Sequence, residues 1–102
     1  PVVVKTARAA GRSYPRGLAS TYADAWIKGA EALEAGKGPG EALGVVAAAW
    51  TDGRTALFRN TAAPAFAAVV PEGKPDAEVS AADRAALAVV WRAFAAGLTG
   101  SR

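Results

Sequence analysis

The chain has 102 residues, which is enough for one compact domain with one hydrophobic core. Hydrophobic residues make up 52% of it and charged residues 21%, a balance typical of globular proteins rather than of disordered chains or membrane channels. The formal net charge is +3, and the absence of Cys, His and Met excludes disulfides, thiol nucleophiles, imidazole bases and soft metal ligands.

The first predicted element is a basic N-terminal arm, residues 1–16, with local structure at most. Val2–Val4 are β-branched and could extend along a neighbouring surface. Gly11 and Pro15 argue against one uninterrupted helix. Residues 17–102 are predicted to form a single helical domain.

The positive charge is concentrated in this arm. Residues 1–23 contain four basic and no acidic side chains, whereas residues 24–102 contain eight basic and nine acidic ones. Arginines four positions apart would share one face of a helix, and in an extended chain they would follow a phosphate backbone. A tyrosine between them could stack on a base. The candidate polyanion-binding residues are Lys5, Arg8, Arg12, Tyr14 and Arg16. The preferred interpretation of this arm is nevertheless a solubilising tail that also pairs with acids of a neighbouring subunit.

A helix is predicted from Pro15 to Ala35, because apolar residues recur there at the helical period. Glycines at 36, 38 and 40 and Pro39 should end it. This glycine-rich stretch contains a lysine but lacks the order of a phosphate-binding loop, so we expect a helix-to-helix connector. The apolar stripe consists of Leu18, Tyr22, Trp26, Gly29 and Leu33.

The second helix should begin near Pro39 or Gly40 and run through Leu43 and Val46 to Trp50. Residues 45–59 are ambiguous. The Asp52-Gly53 pair between apolar runs is a hairpin signal and would make the fold α+β. Alanines at 47–49 favour a helix instead, which is the preferred interpretation.

Pro64 can start a short helix that holds Phe66, Val69 and Val70, followed by a loop over 71–75. Asp76 and Glu78 lie next to this proline-rich stretch and are expected to be solvent-exposed in a loop rather than to bind calcium. Ser80-Ala81-Ala82-Asp83 resembles a capping box and starts the last helix. Its apolar stripe is Leu87, Val90, Trp91, Phe94 and Leu98, with glycines at 97 and 100 near its end.

The sequence therefore predicts an all-α bundle of three main helices and one short one. Abundant alanine gives little side-chain volume, so we expect a thin core and a surface covered by a partner or a second copy. The candidate interface residues are Tyr22, Trp26, Gly29, Trp50 and Trp91. For the three tryptophans, packing in the core is the preferred interpretation. The expected function is a non-enzymatic interaction or assembly module that buries an Ala-rich helical face. The alternative is a nucleic-acid-associated accessory protein that uses the arm.

We expect no enzymatic activity, no cofactor and no metal, since neither a catalytic motif nor metal-ligand spacing is found. An enzyme would have to use Asp24, Asp52 or the Pro1 amine. No membrane association is predicted. A cytoplasmic location is expected, with export of a processed mature chain as the alternative.

Two short stretches resemble known families. Pro1-Val2-Val3-Val4 is similar to the first strand of the tautomerase superfamily, whose N-terminal proline amine is a base, but no βαβ pattern follows. Trp50-Thr51-Asp52-Gly53 is similar to the turn of the WXG family of helical hairpins, with one residue too many. Neither stretch assigns a family.

Overall fold

The computed structural model describes residues 2–12, 16–49 and 75–99, with the side chains of 4–12, 23–46, 48 and 75–99. These residues form four α-helices, one 3-10 helix and no strand, which confirms the predicted all-α bundle. The helices are α1 (Val2–Arg12), α2 (Arg16–Glu34), α3 (Pro39–Ala49) and α4 (Ala81–Leu98), and the 3-10 helix is Asp76–Glu78. Contacts between neighbours give the packing order α1–α4–α2–α3. No described helix combines the length and apolarity that crossing a bilayer requires.

Helix α1 corrects the prediction of an arm with local structure at most. Val2–Val4 are helical rather than extended, and Gly11 lies within the helix. Ala7 is fully buried, and Val4 is partly buried against the core. Short helices are stabilised mainly by packing rather than by propensity, and α4 provides that packing. The boundary between an arm of 1–16 and a domain of 17–102 stays a prediction.

Helix α2 confirms the predicted helix over 15–35 and ends as the glycine pattern indicates. Gly36 has a φ of +105°, in the left-handed region that favours glycine. Its N–H donates to the carbonyl of Leu33 at 3.1 Å, and the N–H of Lys37 donates to the carbonyl of Ala32 at 3.0 Å. These two bonds define a Schellman motif, so residues 36–38 connect two helices as predicted.

Helix α3 begins at Pro39 as predicted. Val45–Ala49, the start of the alternative hairpin, are helical, so that alternative is wrong for these residues. Trp50 and residues 51–74, with the predicted short helix after Pro64, lie outside the described residues.

Asp76 corrects the prediction of a solvent-exposed loop. It starts the 3-10 helix and is only partly exposed. Its carboxylate accepts hydrogen bonds from the backbone N–H groups of Gly40 at 2.8 Å and Glu41 at 3.1 Å. Such bonds are normally accepted by the N-cap side chain, but Gly38 has no side chain at that position. Asp76 therefore caps α3 from a distant point in the sequence.

Helix α4 follows the prediction closely. The Ser80 hydroxyl accepts a hydrogen bond from the N–H of Asp83 at 3.1 Å, which is the N-cap half of a capping box. All five members of the predicted apolar stripe are buried, namely Leu87, Val90, Trp91, Phe94 and Leu98.

Half of the buried hydrophobic residues in the described ranges are alanines, so the large side chains are concentrated between α2 and α4. The rings of Trp26 and Trp91 meet edge to face with centroids 4.9 Å apart, and Phe94 lies 5.8 Å from Trp26. A Cβ on Gly29 would lie 2.8 Å from the Trp91 ring. Small side chains thus make up half of this core, and the helices approach each other closely at glycine and alanine.

Candidate polyanion-binding face

One side of α1 carries three basic residues, which we call the basic face: Lys5, Arg8 and Arg12. Lys5 and Arg12 are exposed and Arg8 is half-buried. At 3.6 residues per turn their spacing places them within an arc of about 60° and over about 10 Å of the helix axis. Helix α1 contains no acidic residue. The predicted alignment of Arg8 and Arg12 on one helical face therefore holds.

Two glycines bring the backbones of α1 and α4 into direct contact. A Cβ on Gly11 would contact the carbonyl oxygen of Phe94 and would lie 2.8 Å from the nitrogen of Leu98. A Cβ on Gly97 would contact the carbonyl oxygen of Arg8 and would lie 3.1 Å from the nitrogen of Arg12. Any other residue at either position would force the helices apart. This contact fixes the backbone that carries the basic face.

The basic face keeps its charge uncompensated by the described part of the chain. None of its three side chains forms an ion pair with a carboxylate of residues 2–12, 16–49 or 75–99. The ion pairs found in these ranges join other groups: Lys37 to Glu41 at 2.9 Å, and Arg92 to Glu34 at 2.7 Å. Glu41 and Glu34 thus pair with cations outside the basic face.

The pair between Arg92 and Glu34 is bidentate and joins α4 to the end of α2. Arg92 donates from Nε to one Glu34 oxygen at 2.9 Å and from Nη2 to the other at 2.7 Å. This hydrogen bonding lowers the pKa of Glu34 and raises the pKa of Arg92. Both side chains are nearly half exposed, so solvent screens the interaction.

Two of the predicted polyanion-binding residues are not placed by the structure. Tyr14 lies outside the described residues, and Arg16 begins α2, where only its backbone is described. The structure thus brings together Lys5, Arg8 and Arg12.

The docking of α1 on α4 was not predicted from the sequence. The sequence did contain a signal for this docking: Val4, Ala7 and Gly11 are apolar or small residues, and they recur at i, i+3 and i+7, on one face of a helix.

The candidate interface residues Trp26, Gly29 and Trp91 are buried within the single chain, which agrees with core packing, the preferred interpretation of the tryptophans. Their burial results from packing of α2 on α4, so they do not form an exposed surface on the described residues. The structure does not describe the side chains of the other two candidates, Tyr22 and Trp50.

Helix α4 does expose a different apolar stripe near its start. Its members lie at i, i+3, i+4 and i+7 and are Ala82, Ala85, Ala86 and Val89. Val89 is 54% exposed. Sequence patterning pointed to the opposite, tryptophan-bearing side of this helix because large side chains dominate the apolar signal.

The basic face offers a fixed positive charge and guanidinium groups that can donate two parallel hydrogen bonds to a phosphate. Within the described ranges, no three acidic residues are grouped closely enough to hold a metal ion. The absence of enzymatic activity and of a cofactor stays a prediction.

No family model, curated protein or solved structure matches this chain. The similarity of Pro1–Val4 to a tautomerase strand is not supported by the fold, because Val2–Val4 lie in α1. The stretch Trp50–Gly53 lies outside the described residues. Function therefore has to be inferred from the geometry of the described helices.

Proposed function

We propose that this protein binds the phosphate backbone of a nucleic acid through the basic face of α1. The observation that carries the proposal is the docking of α1 on α4, which holds Lys5, Arg8 and Arg12 in one fixed row. A flexible tail would lose conformational entropy when it bound, and a docked helix loses less. The docking thus favours binding over a merely solubilising role.

Charge distribution supports the same proposal. The basic excess of the chain lies in residues 1–23, and the rest is close to neutral. No carboxylate of the described residues pairs with the basic face, so its cations can replace the counterions of a polyanion. Three contacts give a dissociation constant of about tens of micromolar near 20 mM salt and a salt slope of about −2.7.

The experiment measures fluorescence anisotropy of a labelled DNA duplex of about 20 base pairs across a range of low salt. The test variant is Lys5→Ala/Arg12→Ala, which changes two exposed side chains. We expect roughly a thirtyfold loss of affinity per removed contact near 20 mM salt and a slope reduced by about 2.

A matched control removes the same charge elsewhere. Lys28→Ala/Lys37→Ala also changes two exposed lysines, on α2 and in the turn that follows it. We expect this variant to retain most of the affinity. Equal losses in the two double variants, or no binding by the wild type near 20 mM salt, would refute the proposal.

A second candidate function is self-assembly, the expectation first drawn from the alanine content. Exposure of Ala82, Ala85, Ala86 and Val89 favours it, because two such faces could approach closely around a two-fold axis. The residues first expected to mediate assembly give it no support, since Trp26 and Trp91 are buried within one chain.

Sedimentation at micromolar concentration tests this second candidate. We expect a dimer for the wild type and a monomer for Val89→Asp, in which a charge replaces the largest member of the exposed stripe. Lys28→Asp provides the control for an added acid on another helix. A folded wild-type monomer would exclude self-assembly and would leave the nucleic-acid proposal intact.

A further inference from the structure

We infer that the ligand of the basic face is double-stranded DNA rather than a single strand; this inference rests on the proposed function. Nucleic-acid-binding surfaces for single strands combine cations with exposed aromatic rings on which unpaired bases stack. A surface that has the cations but not the rings gains nothing from exposed bases. The affinity of such a surface for a nucleic acid then depends only on how densely the phosphates of that ligand are spaced.

The described aromatic side chains are all in the core. Trp26, Trp91 and Phe94 are 2%, 1% and 0% exposed, and they face each other between α2 and α4. The side chains that surround the basic face on α1 are small and aliphatic or hydroxylic, such as Thr6 and Ala9. Among the described residues, no aromatic ring can therefore stack on a base beside Lys5, Arg8 and Arg12.

Phosphate density then favours the duplex. Each contact releases about 0.9 counterions from duplex DNA and about 0.7 from a single strand. For three contacts near 20 mM salt, this difference makes binding to the duplex about tenfold tighter. Stacking contributes roughly tenfold per base, so one stacked base would cancel this difference and two would reverse the order. The ratio of the affinities for the duplex and for the single strand therefore shows whether bases stack on the protein.

The row of charges also matches a regular backbone. Lys5 and Arg12 are separated by about 10 Å along the helix axis, and one strand of a duplex advances about 3.4 Å per phosphate. Contact between α1 and α4 at Gly11 and Gly97 holds this spacing. A rigid row suits a duplex, whose phosphates are already ordered, better than a flexible strand that must be ordered on binding.

The experiment compares the full-length protein on a labelled duplex and on each of its separated strands, over a series of low salt concentrations. We expect about tenfold tighter binding to the duplex near 20 mM salt, with slopes of about −2.7 and −2.1. Equal or tighter binding to the single strands, still lost in Lys5→Ala/Arg12→Ala, would overturn this inference and leave the proposed function standing. Absence of binding to both ligands would refute the proposed function itself.

A second variant tests stacking from outside the described residues. Tyr14→Ala removes the ring closest in sequence to the basic face. The inference requires that this variant keep the wild-type affinity for both ligands, in contrast to the expectation from the sequence that the Tyr14 ring stacks on a base. A loss on single strands alone, of roughly the tenfold that one stacked base contributes, would show that a ring takes part and would overturn the inference.

Discussion

Asp76 accepts a hydrogen bond from the backbone N–H of Gly40 at 2.8 Å, although the two residues are 36 positions apart. The same carboxylate also bonds the N–H of Glu41 at 3.1 Å. Its negative charge lies at the positive end of the α3 dipole, which adds to the stabilisation. This one side chain ties the segment before α4 to the start of α3.

Asp76→Ala should lower the free energy of unfolding by about 1 kcal/mol, the usual effect of removing an N-cap acceptor. Urea unfolding followed by circular dichroism measures it. Glu78→Ala is the control, because Glu78 is exposed in the same 3-10 helix and has no bond to α3. A stability of Asp76→Ala equal to that of Glu78→Ala would contradict the capping role.

Gly97→Ala should destabilise the protein by about 1–3 kcal/mol, since the added methyl group meets the α1 backbone at Arg8 and Arg12. Backbone atoms cannot avoid this contact by a change of rotamer, as a side chain could, so the two helices have to move apart. Gly44→Ala is the matched control in α3, where a Cβ would meet nothing within 4 Å. That change should stabilise the protein by about 0.5–1 kcal/mol through higher helix propensity. Unfolding curves in which both variants shift in the same direction would contradict the close contact between α1 and α4.

Trp91→Ala should lower the free energy of unfolding by about 3–5 kcal/mol, because it removes a fully buried ring that packs on Trp26. The loss should not depend on protein concentration, since both rings belong to one chain. Val89→Ala, on the exposed side of the same helix, should change the stability of the monomer little. A destabilisation by Trp91→Ala that disappeared on dilution would instead place this residue at an interface between copies.

The ion pair between Glu34 and Arg92 predicts a pH dependence. Because the pKa of Glu34 is lowered in the folded state, its stabilisation is complete above the ordinary glutamate pKa of about 4.3 and is lost as the pH falls through the folded-state pKa. The difference in stability between the wild type and Glu34→Gln should therefore be largest near neutral pH and vanish in acid. Urea titrations from neutral pH downwards measure this difference. High salt should reduce it at neutral pH, because both groups are partly exposed. A difference that stayed constant in acid would contradict the ion pair.

The basic face was only partly predictable from the sequence. The sequence gives the positions of Lys5, Arg8 and Arg12, and their spacing shows that they would share one face if the segment were a helix. Whether the segment is a helix depends on α4, which begins 69 residues after α1 ends, and no local pattern reports that contact. The roles of Gly11 and Gly97 were hidden for the same reason. Each would be read locally as a helix breaker, and the two matter only when two backbones meet.

What the sequence determined by itself were the long helices and their ends. The periodicity of apolar residues and the capping residues of a helix are local features of the sequence. The burial of Phe94, the cap at Ser80 and the turn at Gly36 therefore follow from neighbours within a few positions. Only the tertiary structure decided which apolar faces meet, that Asp76 caps α3, and that the basic residues stand on a docked helix. These features depend on contacts between distant segments, whose formation is governed by shape and packing rather than by local propensity.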